Sequence, residues 1–250
     1  MEKKGNAMAR TARIAVPMPD WLYRTLQATK RRLSPPDSSQ SPVDIGGERY
    51  VEWSFLSAEM PEGPGEALEF GCEFGYLSFL AAEKGFHVLA NDLEDQFFLW
   101  RHPSVVFQAG DFLKLDYPEN YFDLAINCSS VEHVGVPGRY GIKADQNDGD
   151  VEVMNKLARI LKPGGRLLMT APCGQDAVLA PWCRVYGEER LPRLFASYSI
   201  IKERFWIKSS HNQWVEGPRK AALNFPPRYD AVNPHRCLYA LGCFVLRKES

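Results

Sequence analysis

The stretch EALEFGCEFGYLSFLAAEKGFHVLANDLE, residues Glu66–Glu94, decides the fold of this 250-residue chain. A short apolar run of strand length leads into a turn with glycines at positions 71 and 75. Apolar residues at helical spacing follow, Gly85 ends that helix, and a second apolar run ends in Asn91-Asp92. The pattern predicts a strand, a glycine turn, a helix and a strand, which is half of a mononucleotide-binding βαβ unit.

Asp92 closes this unit, 21 residues after Gly71. An acid at the tip of the second strand can accept hydrogen bonds from both hydroxyls of a ribose. A dinucleotide fingerprint, G-x-G-x-x-G, is absent, because Gly71 and Gly75 are four apart and Glu73 lies between them. A carboxylate in the turn would repel a pyrophosphate, so a dinucleotide is not expected. A generic Rossmann-like turn that binds another ligand, or none, stays open as a second interpretation.

Composition favours a single α/β domain with a sizeable core. The formal net charge of −1 gives no indication of a nucleic-acid or membrane partner. Six cysteines without C-x-x-C spacing are typical of reduced thiols in a cytoplasmic protein. No apolar run reaches the roughly 18 residues of a membrane span. We therefore expect a cytoplasmic protein.

The remaining strands follow in the order that such a sheet requires. They are predicted at 104–108, 124–128, 166–170, 200–208 and 238–246. Gly110-Asp111 follows the first of these, and Glu132-His133 lies just beyond the second. Carboxyl ends of parallel strands meet at one edge of the sheet, where ligands bind.

A helix is predicted at 151–161, before the fifth strand. Asp148 or Asp150 is expected to cap it. The LKPGG segment at 161–165 should end the helix in a tight turn, with the strand starting at Arg166. An EF-hand-type calcium loop starting at Asp145 is excluded, because no bidentate glutamate stands at the required place.

These motifs resemble those of class I S-adenosylmethionine-dependent methyltransferases. Glu69, Gly71 and Gly75 match three positions of the family's first motif, acid-x-G-x-G-x-G, and Glu73 replaces the middle glycine. The acid after the third strand, the Glu-His pair and LKPGG follow in the family's order, over roughly residues 65–248. The resemblance implies a Rossmann-like three-layer α/β sandwich. Its seven-stranded sheet should be mostly parallel, with the last strand antiparallel.

The resemblance also implies S-adenosylmethionine as the cofactor. The expected contacts lie in the glycine turn and at the ends of the next three strands: Glu69, Gly71, Cys72, Glu73, Gly75, Asp92, Leu93, Gly110, Asp111, Phe112, Asn127 and Ser129. Asp111 would meet the adenine amino group, and Phe112 would pack on the ring. Three interpretations of Glu73 stay open: contact with the cofactor amine, exposure to water, or obstruction of the site in a non-catalytic protein.

Two segments are predicted outside the core of the domain. Residues 1–60 should form an N-terminal tail and a helical cap, with helices near 21–33 and 50–58, ahead of a methyltransferase domain at 61–250. A 209–237 insert between the last two strands is long enough to cover the substrate. A purely structural arm and a disordered insert are the alternatives. The expected substrate residues are Tyr140, Arg184, His211 and Trp214.

His133 is the expected general base, with Glu132 beside it as a second catalytic residue. A histidine with an unperturbed pKa of about 6.5 suits proton transfer at neutral pH. Bracing of the loop and cofactor by Glu132-His133 is the alternative. Tyr140, Asp145 and His211 are further candidates. No metal is expected, although an acidic cluster at 145–150 would serve a metal-dependent mechanism.

The resemblance indicates the small-molecule branch of the family, in bacterial natural-product or polysaccharide pathways. The expected reaction is methylation of a hydroxyl on a small polar acceptor, such as a sugar or secondary metabolite. N-methylation of an amino sugar or amine is the first alternative. A non-catalytic cofactor-binding partner protein is the second. A homodimer is a further option.

Overall fold

The computed structural model describes residues 48–94, 101–138, 147–208, 214–230 and 237–249. All of them belong to one compact unit, Asp44–Ser250. The predicted N-terminal tail and first helix lie outside the described residues, as do Tyr140, Asp145 and His211. No helix within the described ranges is long and apolar enough to span a bilayer.

Strands and short helices alternate along the chain. The strands are β1 Gly65–Phe70, β2 Phe86–Asp92, β3 Val105–Ala109, β4 Phe122–Cys128, β5 Leu161–Cys173, β6 Ala177–Leu179, β7 Cys183–Val185, β8 Tyr198–Lys208, β9 Trp214–Gly217, β10 Arg228–Tyr229, β11 Cys237–Leu238 and β12 Ala240–Lys248. The helices are α1 Arg49–Glu59, α2 Tyr76–Glu83, α3 Gly149–Ile160, α4 Arg190–Leu194 and α5 Arg219–Leu223, with a 3₁₀-helix at Val131–His133. The helix predicted at 50–58 is thus present as α1.

Eight strands form the central sheet in the order β3-β2-β1-β4-β5-β12-β8-β9. β1 to β5 pair in parallel, whereas β12 runs antiparallel to both β5 and β8. The predicted count of seven strands is wrong. The eighth strand, β9, comes from the segment predicted as an insert and pairs with β8 at the sheet edge. Its four residues are too few to produce a recognisable alternating pattern.

Apolar side chains cover both faces of the sheet. One layer includes Leu68, Leu157 and Phe244, and the other includes Leu56, Ile126 and Leu241, all of them fully buried. Burial on both faces explains why β4 is apolar almost throughout, rather than alternating. α1 packs in the second layer, so the N-terminal helix is part of the core.

The LKPGG segment differs from its predicted form. α3 ends at Ile160, as expected, but β5 begins at once with Leu161 opposite Phe122. The pairing then shifts register to Leu124 opposite Arg166, so the glycines form an irregular start of the strand. Gly164 has φ +78°, which glycine adopts without strain.

The predicted cap of α3 is also wrong. Asp148 occupies the cap position, but its side chain makes no capping hydrogen bond. Its carboxylate accepts instead from Arg193, at 2.7 Å. Asp150 lies inside the first turn, where the buried carboxylate pairs with Arg190. Both acids therefore bind arginines of α4 instead of capping the start of α3.

Candidate active site

The glycine turn is tied to β2 by backbone hydrogen bonds. The Gly71 and Cys72 N–H groups donate to the Asn91 carbonyl oxygen at 2.9 and 3.1 Å, and Gly75 N–H donates to the Cys72 carbonyl at 2.7 Å. Gly71 has φ +68°, and a Cβ there would lie 2.3 Å from the Ser130 hydroxyl. A side chain at this position would therefore collide with the loop after β4.

Glu69, at the end of β1, points inward and is almost fully buried. Its Oε2 accepts from the Ser78 N–H at 2.7 Å and from the Ser78 hydroxyl. Burial raises the pKa of Glu69 to about 7, and the two hydrogen bonds from Ser78 partly oppose that rise. Glu69 therefore joins β1 to α2 beneath the turn.

Asp92 lies beside the turn, at the end of β2. Its Oδ2 accepts the Glu73 N–H at 2.9 Å. Within the described part of the chain, its other oxygen has no hydrogen-bond partner. Glu73 has φ +46°, so the bond to Asp92 holds a non-glycine residue in the left-handed region. Asp92 thus keeps the acceptor capacity that a ribose requires.

The carboxylate of Asp111, after β3, already makes contacts within its own turn. The Asp111 Oδ1 accepts the Leu113 N–H at 3.0 Å, and Lys114 lies 3.0 Å from Oδ2. Phe112 does not lie at the edge as predicted. Its ring is buried 4.9 Å from Phe70, between centroids, so it packs in the core instead of presenting a face to an adenine.

The remaining predicted cofactor residues differ in exposure. Leu93, next to Asp92, is exposed, whereas Cys72 and Asn127 are buried. The Asn127 Oδ1 accepts the Val131 N–H at 3.1 Å, which braces the loop after β4. Gly110 N–H donates to the Asp92 carbonyl at 2.8 Å. Asn127 and Gly110 therefore support the edge rather than project from it.

Ser129 connects the end of β4 to α1. It has φ +46° and is buried, and its hydroxyl donates to Glu52 Oε1. Thr170, on β5, donates to the same oxygen at 2.8 Å. Arg49 Nη1 donates to the other oxygen at 2.7 Å. A fully buried carboxylate from α1 thus ties two strand ends together.

Sequence reasoning missed Arg49, Glu52 and Thr170. A signal was present, because Glu52 lies among the buried apolar residues of α1, beside Val51 and one turn before Phe55. A carboxylate at a core position of an amphipathic helix needs hydrogen-bond donors. The pattern shows that donors must exist but cannot identify them, since Thr170 is 118 residues away.

His133 is held by the backbone before β7. Its Nδ1–H donates to the Trp182 carbonyl oxygen at 2.7 Å. A carbonyl can only accept, so this bond sets the tautomer in which Nε2 is the basic nitrogen of the neutral ring. The side chain is 23% exposed. His133 is therefore partly exposed, with its ring oriented by the bond to Trp182.

Glu132, next to His133 in the chain, is buried. It is 2% exposed, and burial raises its pKa well above the ordinary value. Its Oε2 has no hydrogen-bond partner among the described residues. The nearest approach to the His133 ring is 3.9 Å, from Oε1 to Nε2, which exceeds hydrogen-bond length. A buried carboxyl group with a raised pKa holds its proton more tightly, which suits a proton donor or a support better than a base.

Two of the predicted substrate residues, Arg184 and Trp214, have partners within the described structure. Arg184, on β7, is 1% exposed, and its Nε lies 3.7 Å from Asp150 Oδ1. Arg190 also binds Asp150. The two ends of the segment at 184–190, RVYGEER, thus bring two arginines to one buried acid. Trp214 lies on the edge strand β9, 6.4 Å from the Tyr239 ring between centroids. In the described ranges no three metal-binding side chains converge.

A family described as Caenorhabditis protein of unknown function, DUF268, matches residues 104–218, a little less than half of the chain. The matched segment includes Glu132 and His133. No curated protein matches the chain. The description of this family names no reaction.

Solved structures share the fold at low sequence identity. The 1,6-didemethyltoxoflavin-N1-methyltransferase of Burkholderia thailandensis has a TM-score of 0.52 and 19% identity, over 95% of this chain and 94% of that chain. The N-methyltransferase NodS of Bradyrhizobium japonicum WM9 has a TM-score of 0.51 and 16% identity, over 90% and 99%. The [4+2]-cyclase SpnF has 0.53 and 17%, over 90% and 93%.

These likenesses establish the fold. The chain has the class I S-adenosylmethionine-dependent methyltransferase fold, with eight strands in the central sheet. Both N-methyltransferase structures contain S-adenosylhomocysteine.

Proposed function

We propose that the protein is an S-adenosylmethionine-dependent methyltransferase that acts on a small polar acceptor. The observation that carries this proposal is the placement of Asp92 against the glycine turn, with one carboxylate oxygen that no described residue binds. It lies at the end of β2, next to the point between β1 and β4 where the strand order reverses. Nucleotide ligands bind at such points in open α/β sheets.

The residues present fit the proposed cofactor. Asp92 would accept from the ribose hydroxyls, and Asp111 would accept from the adenine amino group. Exposed Leu93 is the apolar neighbour that remains for the adenine, because Phe112 is committed to the core. The glycine turn permits close approach of the backbone, since its glycines at 71 and 75 have positive φ.

When bound, S-adenosylmethionine supplies a methyl group made electrophilic by the adjacent sulfonium. The chain has to orient an acceptor and take up its proton. His133 is proposed as that base, because the bond to the Trp182 carbonyl leaves Nε2 as the basic nitrogen. Glu132 is proposed as a neutral support beneath it. This assignment refines the prediction that made both residues catalytic.

The acceptor is proposed to be a hydroxyl of a sugar or other natural-product intermediate. An alcohol needs a positioned base more than an amine does, and His133 supplies one. N-methylation is the second candidate, and it is favoured by a specific observation: two of the structural relatives are named N-methyltransferases.

A cofactor-binding protein without methyl transfer is a third candidate. The fold accommodates another chemistry, because the relative SpnF is named a [4+2]-cyclase.

Calorimetry with S-adenosylmethionine and S-adenosylhomocysteine tests the proposal, followed by turnover assays on a panel of hydroxylated and amino-bearing metabolites. We expect saturable binding of both ligands and methylation of at least one hydroxylated compound. Absence of binding would contradict the proposal. Binding without turnover across the panel would favour the non-catalytic alternative. Methylation of amines alone would assign N-methylation.

A further inference from the structure

An ion pair spans the point at which the strand order of the sheet reverses. Arg49, from the first turn of α1, donates through Nη1 to Glu52 and to the Cys128 Sγ, at 2.7 and 3.5 Å. Cys128 ends β4, so the guanidinium lies over that strand end. On its other side, Nη2 lies 3.7 Å from Glu73 Oε2 in the glycine turn after β1. Arg49 and Glu73 therefore face each other across the gap between β1 and β4.

Arg49 and Glu73 are each fixed by other neighbours, whereas the contact between their charged groups is weak. Glu52 is fully buried and fixes one edge of the guanidinium. The Glu73 backbone is fixed by its N–H bond to Asp92, whereas its carboxylate is 53% exposed. Among the described residues, Arg49 is the only charged partner of that carboxylate, at more than hydrogen-bond length. A pair of this kind contributes little and is easily opened by a ligand.

The amino-acid end of S-adenosylmethionine carries the complementary charges. Its α-carboxylate matches the planar fork of an arginine, and its α-ammonium matches a carboxylate. Asp92, one hydrogen bond away from Glu73, is the proposed ribose site. The part of the cofactor that extends from the ribose past the glycine turn would meet Glu73 and Arg49 next.

We propose that Arg49 and Glu73 form a clamp for the amino-acid end of the cofactor, with Arg49 on the carboxylate and Glu73 on the ammonium. This inference rests on the proposed function, since it assumes that the cofactor binds at this edge. The clamp gives Glu73, which replaces the middle glycine of the first motif, a role in binding the cofactor. It also makes α1 part of the cofactor site, because Arg49 is its first residue.

The test compares two ligands that share an adenosine thioether but differ in the amino-acid end. S-adenosylhomocysteine has that end, and 5′-methylthioadenosine lacks it. Calorimetry on the full chain should show S-adenosylhomocysteine binding at least about tenfold more tightly. E73Q and R49Q should each weaken S-adenosylhomocysteine about tenfold and leave 5′-methylthioadenosine within about twofold.

The matched control is E216Q. Glu216 is also 53% exposed and pairs with an arginine, Arg204, but it lies on β9 at the far edge of the sheet. It should change neither affinity. Because Arg49 also supports buried Glu52, E73Q decides the outcome if R49Q proves unstable on thermal unfolding.

Two results would overturn the clamp while leaving the proposed function intact. In one, E73Q leaves the affinity for S-adenosylhomocysteine unchanged. In the other, E73Q weakens both ligands equally, which would mean that Glu73 only shapes the turn. Failure of the unmodified chain to bind either ligand would overturn the proposed function and the clamp together.

Discussion

The carboxyl ends of the parallel strands form one edge of the sheet, called here the carboxyl edge. Its two halves, at β1–β3 and at β4–β5, are built in different ways. At β1–β3, hydrogen bonds join groups that are close in sequence: Ser78 to Glu69 over 9 positions and Glu73 to Asp92 over 19. At β4–β5, Glu52 joins strand ends that are 77 and 118 positions away. The first half is therefore encoded by a local motif, whereas the second exists only when α1 docks.

Apart from buried Glu69, the acids of the first half are more exposed than those of the second. Glu73 and Asp111, in the first half, have 53% and 36% of their side chains exposed. Glu52 and Glu132, in the second, have 0% and 2%. A buried acid depends on its partners or on its proton, whereas an exposed one remains solvated. Removing a buried carboxyl group should therefore affect folding as well as function, in either half.

Replacing Glu52 should have the largest effect. Glu52→Ala leaves Ser129, Thr170 and Arg49 without their common acceptor, and we expect the free energy of unfolding to fall by about 3–5 kcal/mol. Urea unfolding measures the change. The control is Glu59→Ala in the same helix, whose pair with Lys202 is part-exposed and should contribute under about 1 kcal/mol. Equal losses would contradict the buried network.

Glu69 should make stability depend on pH. Its folded pKa, about 7, lies above its ordinary value of 4.5, so the folded state binds the proton more tightly. Stability is then greatest below pH 4.5 and falls as the pH rises toward 7, by up to about 3 kcal/mol. Glu69→Gln stays neutral and should lose this decline. Urea unfolding at pH 5 and pH 8 gives the loss of unfolding free energy between the two pH values for each chain. Equal losses in the unmodified chain and in Glu69→Gln would contradict a proton on Glu69.

His133→Ala should separate chemistry from cofactor binding. We expect turnover on the acceptor found in the panel to fall about 10²-fold or more, because the base is lost. Affinity for S-adenosylhomocysteine should stay nearly unchanged. His87→Ala, an exposed histidine on β2, is the control and should alter neither quantity. Lost affinity with normal turnover would show that His133 is structural.

Glu132→Gln should have the smallest effect. Burial raises the pKa of Glu132 well above its usual range, which favours the protonated carboxyl, and the amide has a similar shape. Turnover should stay within about threefold of the unmodified chain. Stability should change by less than about 1 kcal/mol in urea unfolding. A loss near that of His133→Ala would instead assign Glu132 a proton-transfer role.

The parallel core of the fold was predictable because each of its elements leaves a local pattern. The run at Glu66–Glu94 contains a strand, turn, helix and strand within the span of one βαβ unit. β9 was not predictable, since its four residues form a strand only by pairing with β8. The start of β5 was misplaced for a similar reason, because Leu161 pairs with Phe122 in spite of the glycines beside it.

The candidate site also contains residues that a local pattern could place and residues that depend on distant contacts. The positions of Asp92, Asp111 and His133 near strand ends could be predicted, because each follows an apolar run of strand length in the sequence. The packing of Phe112 could not, since the order of residues does not say which way a side chain turns. The contacts of Arg49 depend on the docking of α1, which no local pattern specifies.

A crystal structure with S-adenosylhomocysteine tests the central claim most directly. The account predicts that the ligand lies along the carboxyl edge at β1–β3. Its ribose hydroxyls should donate to Asp92, its adenine should lie beside Asp111, and its amino-acid end should lie between Glu73 and Arg49. A ligand bound elsewhere, or no bound ligand at saturating concentration with this edge accessible, would contradict it.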